Sequence, residues 1–294
     1  MTRAGTPVAG AALVAAGAAL FGTVGTAQAL GPAASAQSIG ALRLVLTAVI
    51  LLGLAAPFGV RALRAAWAVP AVWGGGIAQA AFNFTFLSAV SRIGVAVGTL
   101  IAIGCTPILT GLVTRKVSRG WAGATALALL GLALLLSGDL DGRVTTAGVI
   151  FALGASASYA GFIIAGSAVG RTPIDTTVAI AAIFTVAALV LAPGLTAPLG
   201  WATTGPGAAM VGYLVLVATV LAYSCFNRGL RIVPPSTVAT LGLVEPLVAA
   251  LLGVLVLGER LSLLAWCGAA LVLGALLVMV RVSRPVVSAE RSAV

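Results

Sequence analysis

Residues 236–280 read STVATLGLVEPLVAALLGVLVLGERLSLLAWCGAALVLGALLVMV. Two apolar runs flank the charged pair Glu259–Arg260, and each is about 20 residues long, enough for a helix to cross the ~30 Å hydrocarbon core of a bilayer. The first run carries a carboxylate, Glu245, near its middle and directly before Pro246. A charge at that depth is costly unless it is paired or hydrated. The stretch therefore predicts two membrane-spanning helices and a functional carboxylate.

The composition extends this interpretation to the whole chain. Of the 294 residues, 61% are hydrophobic and 7% are charged, whereas soluble domains carry about 25% charged residues. No soluble surface can be built from this composition, so we predict an all-α polytopic membrane protein. The absence of histidine excludes His-based metal sites and Ser–His nucleophile pairs, and we expect no metal and no cofactor. The three cysteines lie in apolar runs, which is not the pattern of a disulfide framework.

Hydropathy divides the chain into ten predicted spans joined by short connections. The spans are Val8–Leu30, Ser35–Pro57, Ala68–Val90, Ile93–Val113, Gly120–Ser137, Thr145–Gly170, Asp175–Pro193, Gly207–Gly229, Ser236–Leu257 and Leu261–Val280. The first span follows Arg3 and contains Ala27-Gln28-Ala29, a small-x-small motif like that of a cleaved signal peptide. Its apolar core is long for a signal peptide, so we favour a retained span.

The basic residues orient these spans. With the N-terminus in the cytoplasm, three basic residues lie outside, namely Arg92, Arg143 and Arg260, and Arg43 lies within a span. The other twelve lie inside: Arg3, Arg61, Arg64, Arg115, Lys116, Arg119, Arg171, Arg228, Arg231, Arg281, Arg284 and Arg291. This bias predicts that both termini are cytoplasmic. It also explains the net charge of +10 without nucleic-acid binding.

The two halves of the chain show weak internal similarity. At an offset of about 139 residues, Ile93–Pro107 lies on Ile232–Pro246 and Phe84 lies on Tyr223. Because each half has five spans, the second copy enters the membrane from the opposite side, which gives inverted repeats. We predict repeats over 8–138 and 145–281 and a cytoplasmic tail over 282–294. Chance similarity between Ala- and Gly-rich helices is the alternative.

Several segments of the second half resemble a known family. Leu243–Pro246, the Gly-Glu-Arg of Leu257–Leu261 and Trp266–Ala270 are similar to the EamA-type domain of the drug/metabolite transporter superfamily. The first half departs from this pattern, because Cys105–Pro107 has no glutamate before its proline. The resemblance implies secondary transport of small metabolites, often export of amino acids, in a bacterial cell (inner) membrane. It also implies a central cavity built by spans 1–4 and 6–9, with spans 5 and 10 peripheral.

Two opposite charges are the first candidates for the transport site. Arg43 in span 2 and Glu245 in span 9 are the charges that we place near mid-membrane. A functional interpretation makes them substrate contacts or a proton-sensitive gate, and a structural one makes them an ion pair. Whether they touch is open.

Uncharged polar residues complete the candidate site. Gln79 and Asn83 are four residues apart on span 3 and share a helix face, which either lines a polar cavity or joins helices. Tyr159 and Tyr223 are further candidates for substrate contact. Weaker candidates are Gln28, Thr85, Ser88 and Asn227, with Trp73, Phe82 and Trp201 for aromatic stacking.

Two prolines are candidate hinges. Pro107 and Pro246 interrupt spans 4 and 9 at matching places, and each removes a helical hydrogen bond and frees a carbonyl. Such a carbonyl can line a cavity or allow bending, although membrane helices also tolerate proline without such a role.

The sequence favours one function over two others. A secondary transporter that works by alternating access, with a small molecule, the lipid bilayer and possibly protons as partners, fits the site candidates. An enzyme is disfavoured because histidine is absent and Asp139, Asp141 and Asp175 lie at span ends, and no phosphate-binding loop is present. A structural or partner-binding membrane protein without transport is the alternative, although the loops are short.

Overall fold

The computed structural model describes residues 6–115, 117–137 and 144–282, and every regular element in these ranges is helical. Of the predicted features, Arg3, Lys116, Asp139, Asp141 and Arg143 lie outside the described residues. So does the predicted tail, apart from its first residue.

Thirteen α-helices follow one another in the described ranges. They are α1 Pro7–Gly22, α2 Val24–Ala29, α3 Ala36–Ala55, α4 Gly59–Trp67, α5 Pro70–Thr114, α6 Arg119–Leu135, α7 Thr146–Gly170, α8 Thr176–Leu191, α9 Gly205–Val215, α10 Ala222–Leu230, α11 Pro235–Leu241, α12 Val244–Leu257 and α13 Leu263–Val282. A π-helical turn, Leu216–Leu221, joins α9 to α10, and short 3-10 turns precede α4 and α9.

The helices are long and apolar enough for a membrane protein. Eight helical segments could cross a bilayer by length and composition: Pro7–Ala29, Ala36–Trp67, Pro70–Thr114, Thr146–Gly170, Thr176–Thr196, Gly205–Leu230, Pro235–Leu257 and Leu263–Val280. α6 is also apolar but has only 17 residues. The predicted all-helical, multi-span class is therefore confirmed.

The longest helix, α5, contains a sharp turn. Gly94 has φ 79° and ψ 166°, a conformation that residues with a Cβ rarely adopt. A Cβ built on Gly98 would lie 3.5 Å from the Cα of Val90, although residues eight apart in a straight helix are about 12 Å apart along the axis. The chain therefore bends back on itself at Gly94, two residues after the turn that hydropathy predicts between spans 3 and 4.

Small residues set the distances between several helices. A Cβ on Gly131 of α6 would lie 2.7 Å from the amide nitrogen of Val272 on α13, and one on Gly17 of α1 would lie 2.7 Å from the carbonyl oxygen of Ala222 on α10. α3 packs against α8, and α5 packs against α7. Backbones approach this closely only where side chains are absent, as is common in membrane helix bundles.

Two elements differ from the sequence-based expectation. α4 occupies a stretch that hydropathy assigns to a connection; its Arg61 and Arg64 are exposed and its Ala66 is buried. The π-helical turn has no counterpart in a hydropathy profile. Its Thr219 donates a hydroxyl hydrogen bond of 2.6 Å to the carbonyl of Leu214, five residues earlier, which matches the i→i−5 spacing of a π-helix.

Candidate functional site

A cavity of about 130 Å³ lies inside the helix bundle. Helices α1, α2, α3, α5, α7, α10 and α12 and the π-helical turn contribute to its wall. The lining residues are Phe21, Val24, Gln28, Arg43, Phe82, Asn83, Phe86, Leu87, Tyr159, Ala218, Tyr223 and Glu245. Five of the six substrate-site residues predicted from the sequence are therefore brought together, and we call this space the central cavity.

Arg43 is held by an amide on a neighbouring helix. Its Nη2 donates a hydrogen bond of 3.0 Å to Oδ1 of Asn83, and Nδ2 of Asn83 donates one of 2.9 Å to the carbonyl of Gln79. The Nε of Arg43 is buried and has no hydrogen-bond partner among the described residues. Asn83 thus fixes one edge of the guanidinium, while another donor stays unsatisfied.

Gln79 lies behind the wall of the central cavity. It is buried, and its Nε2 donates a 2.7 Å hydrogen bond to the hydroxyl of Tyr223, which itself lines the cavity. The Oε1 of Gln79 has no partner within the described chain. Gln79 therefore reaches the cavity through Tyr223, and its amide also joins α5 to α10.

Glu245 enters the central cavity from a broken helix. The amide of Leu243 bonds to the carbonyl of Thr240 and the amide of Glu245 bonds to the carbonyl of Gly242, both at 3.0 Å, so i→i−3 bonds replace the α-helical pattern. Glu245 consequently sits in the first turn of α12, where the helix dipole favours a negative charge. A Cβ on Gly22 of α1 would lie 2.5 Å from the Glu245 carbonyl oxygen, so α1 packs directly on this break.

The two charges face one cavity without direct contact. Among the described residues, no nitrogen of Arg43 lies within 4.0 Å of a carboxylate oxygen of Glu245. Opposite charges attract more strongly inside a protein than in water, so the hydrogen bond to Asn83 helps to keep Arg43 apart from Glu245.

Aromatic rings form the rest of the wall. The ring centroids of Phe21 and Tyr223 are 4.6 Å apart, and those of Phe82 and Tyr159 are 5.2 Å apart. The Tyr159 hydroxyl is buried without a partner in the described chain. It would lie 3.5 Å from a Cβ on Gly242, beside the helix break. The cavity thus combines apolar walls with a few polar groups, as ligand sites usually do.

The remaining candidates divide between the cavity and other places. Gln28 and Phe82 line the central cavity. Thr85 bonds to the carbonyl of Ala81, and Asn227 is buried and bonds to the carbonyl of Tyr223. The indoles lie elsewhere, and each donates to a group outside the cavity: Trp73 to the Trp67 carbonyl and Trp201 to the Ser38 hydroxyl.

The two prolines have different surroundings. α5 continues through Pro107, whereas the break at Gly242–Leu243 lies just before Pro246. The hinge role of both stays a prediction.

Sequence reasoning missed some residues of the wall. Phe21, Phe86 and Leu87 are ordinary members of apolar runs, and Ala218 faces the cavity because the π-helical turn shifts the register of its helix. Gly22 supports the site from α1. No motif marks these positions. The glutamate before Pro246 does identify α12 in the sequence, which is the helix against which Gly22 packs.

Comparison with known proteins gives the family. A sequence model of the EamA-like transporter family matches residues 146–281. The chain is 39% identical over 279 residues to a protein of Bacillus subtilis (strain 168) named uncharacterized transporter YwfM, a match that covers 92% of this chain and 93% of the relative. This chain belongs to the EamA-like transporter family. The resemblance seen in its sequence is thereby confirmed.

Two further likenesses extend over most of the EamA-like chain. The threonine/homoserine exporter RhtA of Escherichia coli (strain K12) is 31% identical over 255 residues, which cover 85% of this chain and 83% of RhtA. A crystal structure of another protein matches with a TM-score of 0.79 and 20% identity over 95% of this chain and 99% of that chain. At that identity the likeness concerns the fold alone. The family is one of membrane transporters, which implies a small-molecule substrate.

Proposed function

We propose that this chain is a secondary transporter that exports an amino acid or a related small metabolite by alternating access, with the central cavity as its substrate site. The observation that carries the proposal is the pair of opposite charges, Arg43 and Glu245, which face one cavity without contacting each other. The likeness to a threonine/homoserine exporter supports the substrate class. Relatives from Bacillus subtilis and Escherichia coli support a bacterial cell (inner) membrane.

The charges suit a zwitterion. The guanidinium of Arg43 would bind the substrate carboxylate, because arginine offers a planar fork of donors to such a group. Glu245 would accept the ammonium group on the other side. The unpartnered hydroxyl of Tyr159 and the side chain of Gln28 are placed to contact the rest of the molecule. A zwitterion satisfies both charges, whereas a simple anion or cation satisfies one.

The packing of the helices supports ten spans in two inverted repeats. We count α5 as spans 3 and 4 and α6 as span 5. Span 5 (α6) then packs on span 10 (α13), and span 2 (α3) packs on span 7 (α8). Span 1 (α1) packs on span 8 (α10), and span 6 (α7) packs on span 3, the first part of α5. An in-plane two-fold axis would exchange the last two pairs and leave the first two in place.

A side-chain hydrogen bond joins spans 3 and 8. Gln79 donates to the hydroxyl of Tyr223, and each of the two helices carries an asparagine four residues further along. Asn83 donates to the carbonyl of Gln79, and Asn227 donates to the carbonyl of Tyr223. The proposed repeats cover 8–138 and 145–281, with both termini in the cytoplasm.

A binding test with a matched control examines the proposal. Wild-type protein in detergent, Glu245→Gln and Glu259→Gln are each mixed with threonine, homoserine and a panel of other amino acids, and thermal unfolding is followed. Glu259 is exposed at the turn after α12, so its variant makes the same chemical change away from the cavity. We expect an amino acid to raise the unfolding temperature of wild type and Glu259→Gln, and to leave Glu245→Gln unchanged.

Flux in proteoliposomes completes the test. Wild type should exchange radiolabelled threonine or another amino acid of the panel across the vesicle membrane, and Glu245→Gln should not. Equal stabilisation in both glutamine variants would refute Glu245 as a substrate contact. An absence of flux and stabilisation for every amino acid would favour the non-transporting alternative. An imposed pH gradient separates proton exchange, which would accelerate wild-type flux, from facilitated diffusion.

A further inference from the structure

A second space lies beside the central cavity. It measures about 360 Å³, and its lining includes Gln37, Gly40, Asn83, Leu87, Ser88 and Pro193, from α3, α5 and the turn after α8. We call it the side groove. Asn83 and Leu87 line both spaces, so the side groove and the central cavity are separated by the side chains that they share. The hydrogen bond from Arg43 to Asn83 lies at this boundary.

Neighbouring atoms do not require a glycine at position 40. It is buried, yet a Cβ at this position would meet one atom within 4 Å, the Cδ1 of Leu87 at 3.8 Å, which is ordinary contact. Glycines that bring helices together differ sharply, since a Cβ on Gly22 would lie 2.5 Å from a backbone oxygen. The space in front of Gly40 belongs to the side groove, one helical turn from Arg43.

We infer that the side groove is the passage through which the substrate moves between the central cavity and one side of the membrane, and that Gly40 sets its width. This inference rests on the proposed function. Gln37, Ser88 and Ser91 line the groove and offer hydrogen bonds to a hydrated solute in transit. These groups favour a hydrated solute over a lipid chain, and a movement of the Asn83 side chain, which lies in the wall of both spaces, would open the groove to the polar site. A larger side chain at position 40 would fill the passage.

A size series at position 40 tests the passage. Gly40→Ala, Gly40→Val and Gly40→Leu are reconstituted in liposomes and compared with Gly53→Leu for flux of radiolabelled threonine. Gly53 lies on the same helix, is exposed, and has no atom within 4 Å of a Cβ, so its leucine variant is the matched control. We expect flux to fall with side-chain size, and Gly40→Leu to be at least tenfold slower than Gly53→Leu, with similar thermal unfolding. Equal flux in the two leucine variants would overturn the passage and leave the proposed function standing.

Labelling gives a readout that does not depend on transport. The native cysteines, Cys105, Cys225 and Cys267, are replaced, and Gly40→Cys or Gly53→Cys is introduced. A charged methanethiosulfonate reagent requires water, so it should modify Gly40→Cys from one side of the vesicle and spare Gly53→Cys in lipid. An unreactive Gly40→Cys would mean that lipid fills the groove, which refutes the inference. If wild type moves no amino acid of the panel, the proposed function fails and the passage falls with it, whatever the labelling shows.

Discussion

The contact between α6 and α13 allows a quantitative prediction about two glycines of one helix. A Cβ on Gly268 would clash with the amide nitrogen of Leu135 and lie 2.5 Å from the carbonyl oxygen of Gly131, whereas a Cβ on Gly274 would have no atom within 4 Å. Ordinary contacts begin at 3.4 Å, so Gly268→Ala must separate the helices by about 1 Å, a gap that forfeits a quarter to a half of the dispersion at each affected contact.

The expected cost follows from two opposing terms. Overpacking of this kind costs about 1–3 kcal/mol, and alanine returns up to about 1 kcal/mol through its higher helix propensity. The two terms leave a net loss for Gly268→Ala of about 0–3 kcal/mol, centred near 1.5 kcal/mol, and that central value corresponds to a fall of roughly 3–6 °C in unfolding temperature. Gly274→Ala keeps only the propensity term, so it should be neutral or slightly stabilising.

Thermal unfolding of the two alanine variants in the same detergent checks the difference. The residues that line the central cavity come from other helices than α6 and α13, so flux per folded molecule should equal that of wild type in both variants. Equal unfolding temperatures for Gly268→Ala and Gly274→Ala would refute the packing argument. A loss of flux in folded Gly268→Ala would refute the expectation that spans 5 and 10 are peripheral.

Two further comparisons address the site. Asn83→Ala removes the acceptor that holds Arg43, and a hydrogen bond to a charged group is worth about 1.5–3 kcal/mol. The apparent Kd for threonine, titrated by thermal shift, should therefore rise at least tenfold. The control variant Asn227→Ala loses only a bond to a backbone carbonyl and should bind threonine normally. Tyr223→Phe leaves a buried amide without its partner and should cost about 1–3 kcal/mol in chemical unfolding. Tyr159→Phe deletes a hydroxyl without a partner in the described chain, so it should unfold like wild type and reveal its effect in substrate affinity alone. A large loss of stability in Tyr159→Phe, or unchanged binding in Asn83→Ala, would contradict these roles.

The sequence predicted much of the fold because hydrophobicity is a property of each segment taken alone. The apolar runs correspond to helices, and the family motif around Glu245 lies where the helix breaks. Hydropathy could not predict the π-helical turn or α4, since both depend on backbone bonding and on packing against distant segments. The eight candidate spans found by length and composition are two fewer than the ten predicted. α5 bends at Gly94 without interrupting its run of helical bonds and so counts once, and α6, with 17 residues, falls short of the length of a span.

The polar residues of the site were predictable for a related reason. A charge or amide within an apolar run is costly, so Arg43, Asn83 and Glu245 stand out from their surroundings in any linear reading. Their mutual arrangement is not a property of single segments. That Asn83 holds Arg43, and that Glu245 lies apart from Arg43, follows from the crossing of α3, α5 and α12, which no spacing in the sequence encodes.

The role of an individual glycine could not be predicted from the sequence. Gly94 is required by its positive φ, Gly268 by the backbone of α6, and Gly40 by neither, since a Cβ there meets only ordinary contact. In the sequence the three are alike, each a small residue in an apolar helix and one of 37 glycines. Only the atoms opposite each one separate a turn from a helix contact and from an open space. Gly40 is therefore the glycine that points to the side groove. A side chain would fit at this buried position without strain, so the glycine keeps the groove open for a solute.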